Sequence, residues 1–224
     1  MLKKIVLINA LIIIGNYCNA QKKVVNRITE KITEDEHIEI EAETFFDQEL
    51  TRNRKWYITS EKKQKKIKPD PDKKHLEGVS SGAYIEVLPE TFTPKTPDQV
   101  HNVNFAKMPG QLAIVKYKVN FKASGVFYVW VRGYCSSTND NSVHVGVDDK
   151  WPNNGRALYF CEGQNSWTWS SVIRKNSDNC SDDSERAYLT IDKPGEHIIK
   201  FSMREDGFEF DKFVLTNLSD YEPK

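Results

Sequence analysis

The sequence predicts an all-β sandwich. Three observations carry that expectation. Segments alternating apolar and polar residues recur along most of the chain, nearly every one is bounded by Gly, Pro, Asn, Asp or Ser, and no convincing helical pattern interrupts them. The chain has 224 residues, enough for one such domain with a self-sufficient core.

The N-terminus reads as an address rather than as structure. Met1-Leu2-Lys3-Lys4 is followed by an apolar run at 5–15 broken by Asn9, then by Cys18-Asn19-Ala20 and a sharply polar sequence. A basic start, an apolar run too short to span a bilayer and small residues before the polar switch predict a secretory signal peptide, 1–20, cleaved near Ala20. Cys18 as a lipid-anchor cysteine is disfavoured by the Gly15-Asn16-Tyr17 before it. No later segment is long and apolar enough to cross a membrane, so the expected product is secreted, periplasmic or held at the cell surface. Lys+Arg and Asp+Glu both total 32; losing Lys3 and Lys4 leaves the rest slightly acidic, with no basic excess to suggest nucleic acid.

Residues 21–37 form a charged leader with Val24, Val25, Ile28 and Ile32 loosely spaced. The period then becomes two in Ile38-Glu39-Ile40-Glu41-Ala42-Glu43, opening a domain expected over 38–217, with a tail at 218–224. Residues 45–81 are expected as a long connection. Its Lys-rich run, 62–74, contains Pro69 and Pro71 and reads as a solvated loop in preference to an anion-binding patch. Further strands are expected at 82–88, 112–121, 126–132, 142–147, 157–160, 167–173, 187–191, 197–203 and 208–216.

Three cysteines follow the leader: Cys135, Cys161 and Cys180. In an exported chain Cys161 and Cys180, which bracket one polar insertion, are expected to be bridged, leaving Cys135 buried and free. Gly78-Val79-Ser80-Ser81-Gly82 matches a nucleophile-elbow spacing, but a Lys-rich loop precedes it and a strand follows, so it reads as a turn. The histidines at 37, 75, 101, 144 and 197 show no zinc-site spacing. No enzyme signature stands out.

The order of six segments carries a resemblance. "IEAE" (40–43), "GAYIEV" (82–87), "AIVKYKVNFKASGVFYVWVRG" (113–133), "VHVGVDD" (143–149), "SWTWSS" (166–171) and "KPGEHIIKFSMREDGFEFDKFVL" (193–215) together resemble the galactose-binding-like jelly roll of carbohydrate-binding modules, families six and thirty-five, and the C-terminal domains of many polysaccharide-degrading enzymes. The long 45–81 connection and the 161–180 insertion depart from that pattern, so the glycan is not carried over.

A sugar needs an exposed aromatic plane ringed by polar groups, and an anionic sugar adds an arginine. Trp151, Asn165, Trp167 and Arg204-Glu205-Asp206 offer these types in expected loops. The resemblance implies Trp167 as stacking platform and Arg204, Glu205 and Asp206 as hydrogen-bonding groups. Arg204 is expected to project from the sandwich edge towards the Trp167 loop. Trp167 suits a core position equally, and Trp169 reads as core.

A second possible site is a sheet face shared by Tyr128, Trp130, Arg132 and His144, with Gly146 leaving room for the Trp130 indole; ordinary cross-strand packing competes with it. The resemblance also implies a structural calcium at Glu41, Glu43 and Asp211, unless a lysine neutralises them. These expectations describe an exported, non-catalytic protein that binds a polysaccharide, anionic sugars included, beside a separate polysaccharide-degrading enzyme. The alternatives are a small hydrolase or lyase drawing on Glu77, Glu205, Asp206 and His144, or a protein-binding adhesion module.

Overall fold

The computed structural model describes residues 35–49, 54–63, 67–174 and 185–224. The signal peptide, most of the leader, Cys18 and Cys180 lie outside them, and with these the expected cleavage and the Cys161–Cys180 bridge.

Twelve strands occur among the described residues: β1 (His37–Glu41), β2 (Asp47–Glu49), β3 (Lys55–Ser60), β4 (Ala83–Leu88), β5 (Ile114–Phe121), β6 (Gly125–Tyr134), β7 (Ser142–Val147), β8 (Leu158–Tyr159), β9 (Thr168–Ser170), β10 (Tyr188–Ile191), β11 (Gly195–Met203) and β12 (Glu209–Thr216). One antiparallel sheet runs β10-β6-β12-β4-β3, with β1 also on β12 and β9 also on β6; the other runs β2-β5-β11-β7-β8. The two sheets make the expected β-sandwich.

Strand alternation explains which residues meet between the sheets. On β6, Phe127, Val129 and Val131 enter the core, while Tyr128, Trp130, Arg132 and Tyr134 stand on the outer face. Tyr117, Phe201, Phe210 and Phe213 pack edge-on at the centre, with Phe201 4.8 Å from Phe210 and 4.9 Å from Phe213 between ring centroids. Phe210 and Phe213 have opposite parity, yet both reach the core. A register shift between Phe210 and Lys212 makes this possible and leaves Asp211 at the irregular step.

The expected strands all coincide with observed ones. The 45–81 connection, however, contains β2 and β3, which the sequence reading passed over. Trp56 and Ile58 on β3 reach the core, and the buried Trp56 indole donates from Nε1 to the Ala113 carbonyl at 2.8 Å.

Candidate functional site

At one end of the first sheet β4, β12 and β6 lie side by side. The parity that sends Ile85, Val87 and Phe210 inward sends Tyr84, Glu86, Glu209 and Tyr134 outward. Glu86 and Glu209 are direct cross-strand partners. The loop after β3 lies over this face and buries them. Its His75 ring stacks on Tyr134 at 3.8 Å and 16°, and His75 Nδ1 lies 2.9 and 3.1 Å from the two carboxylate oxygens of Glu209. The His75 N–H approaches the Tyr84 hydroxyl oxygen at 3.4 Å.

Trp167, just before β9, completes the cluster. Its indole Nε1 donates to the His75 carbonyl at 3.0 Å, and its ring meets Tyr84 and Tyr134 edge-on at 5.3 and 5.5 Å. The Arg132 guanidinium stands 5.8 Å from the indole. A half-buried indole is thus held from several sides, with the exposed Asn165 two residues ahead of it.

Negative charge dominates beneath this aromatic rim. Burial, then the neighbouring carboxylates, pushes Glu86 well above the usual range; burial does the same to Glu209, against the pull of Tyr84. Glu90 is pushed to about 10, first by burial and then by Asp72, Asp140 and Glu86. Burial holds the His75 imidazole below its ordinary value despite Asp72. Two buried oxygens here, Glu86 Oε1 and Glu90 Oε2, have no hydrogen-bond partner among the described residues.

The expected edge site needs correction. Arg204 and Glu205 are buried and ion-paired to each other, Arg204 also donating to Ser142 Oγ at 2.7 Å and lying 4.9 Å from the Phe105 ring. Glu205 accepts from the Asn141 N–H and Ser142 Oγ. Asp206 is fully buried, takes Arg54 at 2.7 Å, and accepts from the Thr91 and Phe92 N–H groups and Thr91 Oγ1. These side chains are spent on loop-to-loop bonds, so Arg204 does not project towards Trp167. Trp151 is also apart, lying over Gly110 and Gly146 on the second sheet with Lys200 5.0 Å from its ring.

The expected sheet-face set divides between the two sheets. Tyr128, Trp130 and Arg132 do share the outer face of β6, but His144 is on β7, in the other sheet. It is fully buried between the Ala106 carbonyl (3.0 Å) and the Ala157 N–H (2.9 Å). Burial, then the Arg204 charge, lowers its pKa to about 3 against the Ala106 hydrogen bond. The room at Gly146 serves Trp151, since a Cβ there would stand 2.6 Å from that indole. Trp169 is a further correction. It pairs in register with Arg132 on the outer face, half-buried, with Lys212 5.8 Å from its ring. Beside Tyr128 an open groove of about 480 Å³ is lined by Val126, Tyr188, Arg186 and Glu185, and Arg186 stands 5.2 Å from the Trp130 ring.

The three carboxylates of the implied calcium site lie around one serine turn. Ser80 Oγ bonds both Glu41 and Asp211, and Ser81 Oγ bonds Glu43. Glu43 Oε2 is buried without a partner among the described residues, and burial, then the Glu41 and Asp211 charges, raises the Glu43 pKa against Ser81. Arg132 pairs with Asp211, so an arginine stands where a lysine was the expected neutraliser.

Sequence reading missed Asp72, His75, Tyr84, Glu86, Tyr134 and Glu209. One signal was available: Tyr84 and Glu86 alternate with Ile85 and Val87 on one strand, placing a carboxylate and a phenol together on its polar face.

Comparison with known proteins places these features in context. The glycosyl hydrolase family 115 C-terminal domain matches residues 80–219. The uncharacterized protein P23 of Formosa agariphila is 42% identical over 186 residues, which cover 83% of this chain and 45% of that protein, so the chain spans less than half of this curated relative. Among solved structures, a CBM35 from Paenibacillus barcinonensis aligns at 12% identity and a TM-score of 0.47, covering 81% of this chain and 99% of that one. The GH26-CBM35 β-(1,4)-mannanase of Podospora anserina aligns at 12% identity and a TM-score of 0.45, covering 84% of this chain and 29% of that one.

Proposed function

The chain belongs to the glycosyl hydrolase family 115 C-terminal domains, and from that membership we propose that it is a non-catalytic carbohydrate-binding protein whose ligand is a polysaccharide. The observation that carries the reading to a place is Trp167, a half-buried indole held by Tyr84, Tyr134 and the His75 carbonyl. An aromatic plane fixed before the ligand arrives costs little ordering entropy on binding. Asn165 supplies a polar group beside it, and the Arg132 guanidinium near the indole is already paired with Asp211.

Hydrolysis is less well supported. Of the side chains considered for acid–base chemistry, Glu205, Asp206 and His144 are buried among protein partners, and Glu77 stands exposed without them. The groove beside Tyr128 favours a second reading: a glycan lying along Tyr128 and Tyr188 under Arg186. Retention on polysaccharide affinity gels, neutral and anionic, with reducing ends assayed in the same samples, tests the proposal. Retention without new reducing ends supports it, and release of reducing ends overturns the non-catalytic assignment. Loss of retention in Tyr188→Ala but not in Trp167→Ala would move the site to the groove.

A further inference from the structure

We propose that Asp72, His75 and Glu209, beside the buried Glu86, form a binding site for a divalent first-row transition ion such as Zn²⁺. Asp72, His75 and Glu209 each present one ligand atom, and these atoms all lie within 4.8 Å of one another. Two of them come from different parts of the fold. Glu209 is fixed on β12 at the centre of a sheet, whereas Asp72 and His75 arrive on the covering loop. An ion there would tie the loop to the sheet.

The independent observation is Glu86. The residue is 4% exposed, it is the direct cross-strand neighbour of Glu209 on the same face, and its Oε1 finds no hydrogen-bond partner among the described residues. A buried carboxylate oxygen without a partner is costly, and a second buried carboxylate beside it adds to the case for a shared proton or a cation. His75 answers Glu209 and leaves Glu86 unmet. A metal ion bound at Nδ1 would replace that hydrogen bond and draw both carboxylates to one centre.

Ligand type selects the ion. Carboxylates alone would favour Ca²⁺, Mg²⁺ or Mn²⁺, but an imidazole in the set shifts preference towards Zn²⁺ and its neighbours. The ring is already oriented by its stack on Tyr134. Such outer contacts hold ligating imidazoles in place. This site is separate from the carboxylates at Glu41, Glu43 and Asp211, and it does not depend on glycan binding.

The test uses the full chain, stripped with a chelator and dialysed, titrated with ZnCl₂ by calorimetry at neutral pH. We expect one equivalent to bind and the melting temperature to rise. In His75→Gln and Glu86→Gln the affinity should fall tenfold or more, with far-UV circular dichroism checking that each variant folds. His75 lies on a loop, so its variant should retain the sandwich. Zinc-edge X-ray absorption on the unaltered protein adds a readout that needs no variant, expected to show one imidazole with oxygen neighbours. No binding, a shell without imidazole, unchanged affinity in both variants, or equal affinity for CaCl₂ at this site would each overturn the proposal.

Discussion

Trp167 sits where rigidity and access meet: its ring edges are packed while the residue stays half-buried rather than enclosed. Trp167→Ala should therefore weaken glycan binding by about 2 kcal/mol, the level of a central tryptophan in an interface. Its lost edge contacts should cost stability by about 0.5–1.5 kcal/mol. Calorimetry and thermal melting on one preparation separate the two, and full affinity in the variant counts against this site. Asp206 belongs to the opposite class. Asp206→Ala would strand the buried Arg54 guanidinium and three donors from Thr91 and Phe92, so unfolding in urea should show a loss of about 3–5 kcal/mol. His197 is a titratable case. Burial pushes its pKa down, but hydrogen bonds to Asp148 (2.7 Å) and the Lys193 carbonyl, with the Asp148 charge, raise it on balance against Lys193; the Phe121 ring lies 5.7 Å away. Burial likewise works against the lowering of Asp148, which the Ile198 N–H and His197 bring about. A raised histidine stabilises fully below its unfolded value of about 6.5 and loses that contribution as pH rises through the folded value. A lowered aspartate stabilises above about 3.9 and loses it as pH falls through its folded value. The pair should contribute most between roughly pH 4 and 6.5, by less than about 1 kcal/mol because Asp148 is largely exposed. His197→Gln should flatten the stability difference between pH 5.5 and 8.5, measured by denaturant unfolding.

At the scale of elements, what the sequence made legible was whatever alternates. Val143, Val145 and Val147 against Ser142, His144 and Gly146 announce a strand on their own, since a period of two has a single structural reading. The same pattern is silent about which sheet a strand joins. Hence Trp130 and His144 looked like neighbours, although β6 and β7 lie in different layers. β3 escaped notice although Trp56-Tyr57-Ile58-Thr59 is an aromatic and β-branched run, because charged stretches flank it on both sides; the contact that defines it, with the Ala113 carbonyl, spans 57 residues. The site was less legible for a related reason. Charged residues such as Arg204 and Asp206 normally mark surface, and nothing local reveals that Arg54 and Ser142 await them. Asp72 was hidden in the Lys-rich run and His75 directly after it, a stretch that reads as solvated loop until its fold over β4 and β12 is known. The turn at Ser80 shows the converse. Its motif looked catalytic and was set aside on context, and its hydroxyl bonds Glu41 and Asp211.

Across the whole molecule the two ends of the domain are joined, β1 pairing with β12 from His37 opposite Thr216 to Glu41 opposite Lys212. A calcium ion at Glu41, Glu43 and Asp211 would lie across that junction. The expected outcome of chelation, after confirmed metal removal, is a lower melting temperature that calcium restores, since a ligand held only by the folded chain stabilises it by mass action. An unchanged curve would count against the ion and for the Arg132–Asp211 pair as the neutralising contact there. The position of β12 reaches beyond binding. It touches β6 on one side and both β4 and β1 on the other. The last strand made is therefore the middle plank of its sheet. During synthesis the earlier strands emerge from the ribosome with a gap between them that no local pairing can close, and contacts of such sequence separation form slowly. Until Glu209–Thr216 leaves the ribosome, the growing chain exposes strand edges and aromatic residues meant for the core. Such exposed edges and rings favour aggregation for as long as β12 is missing.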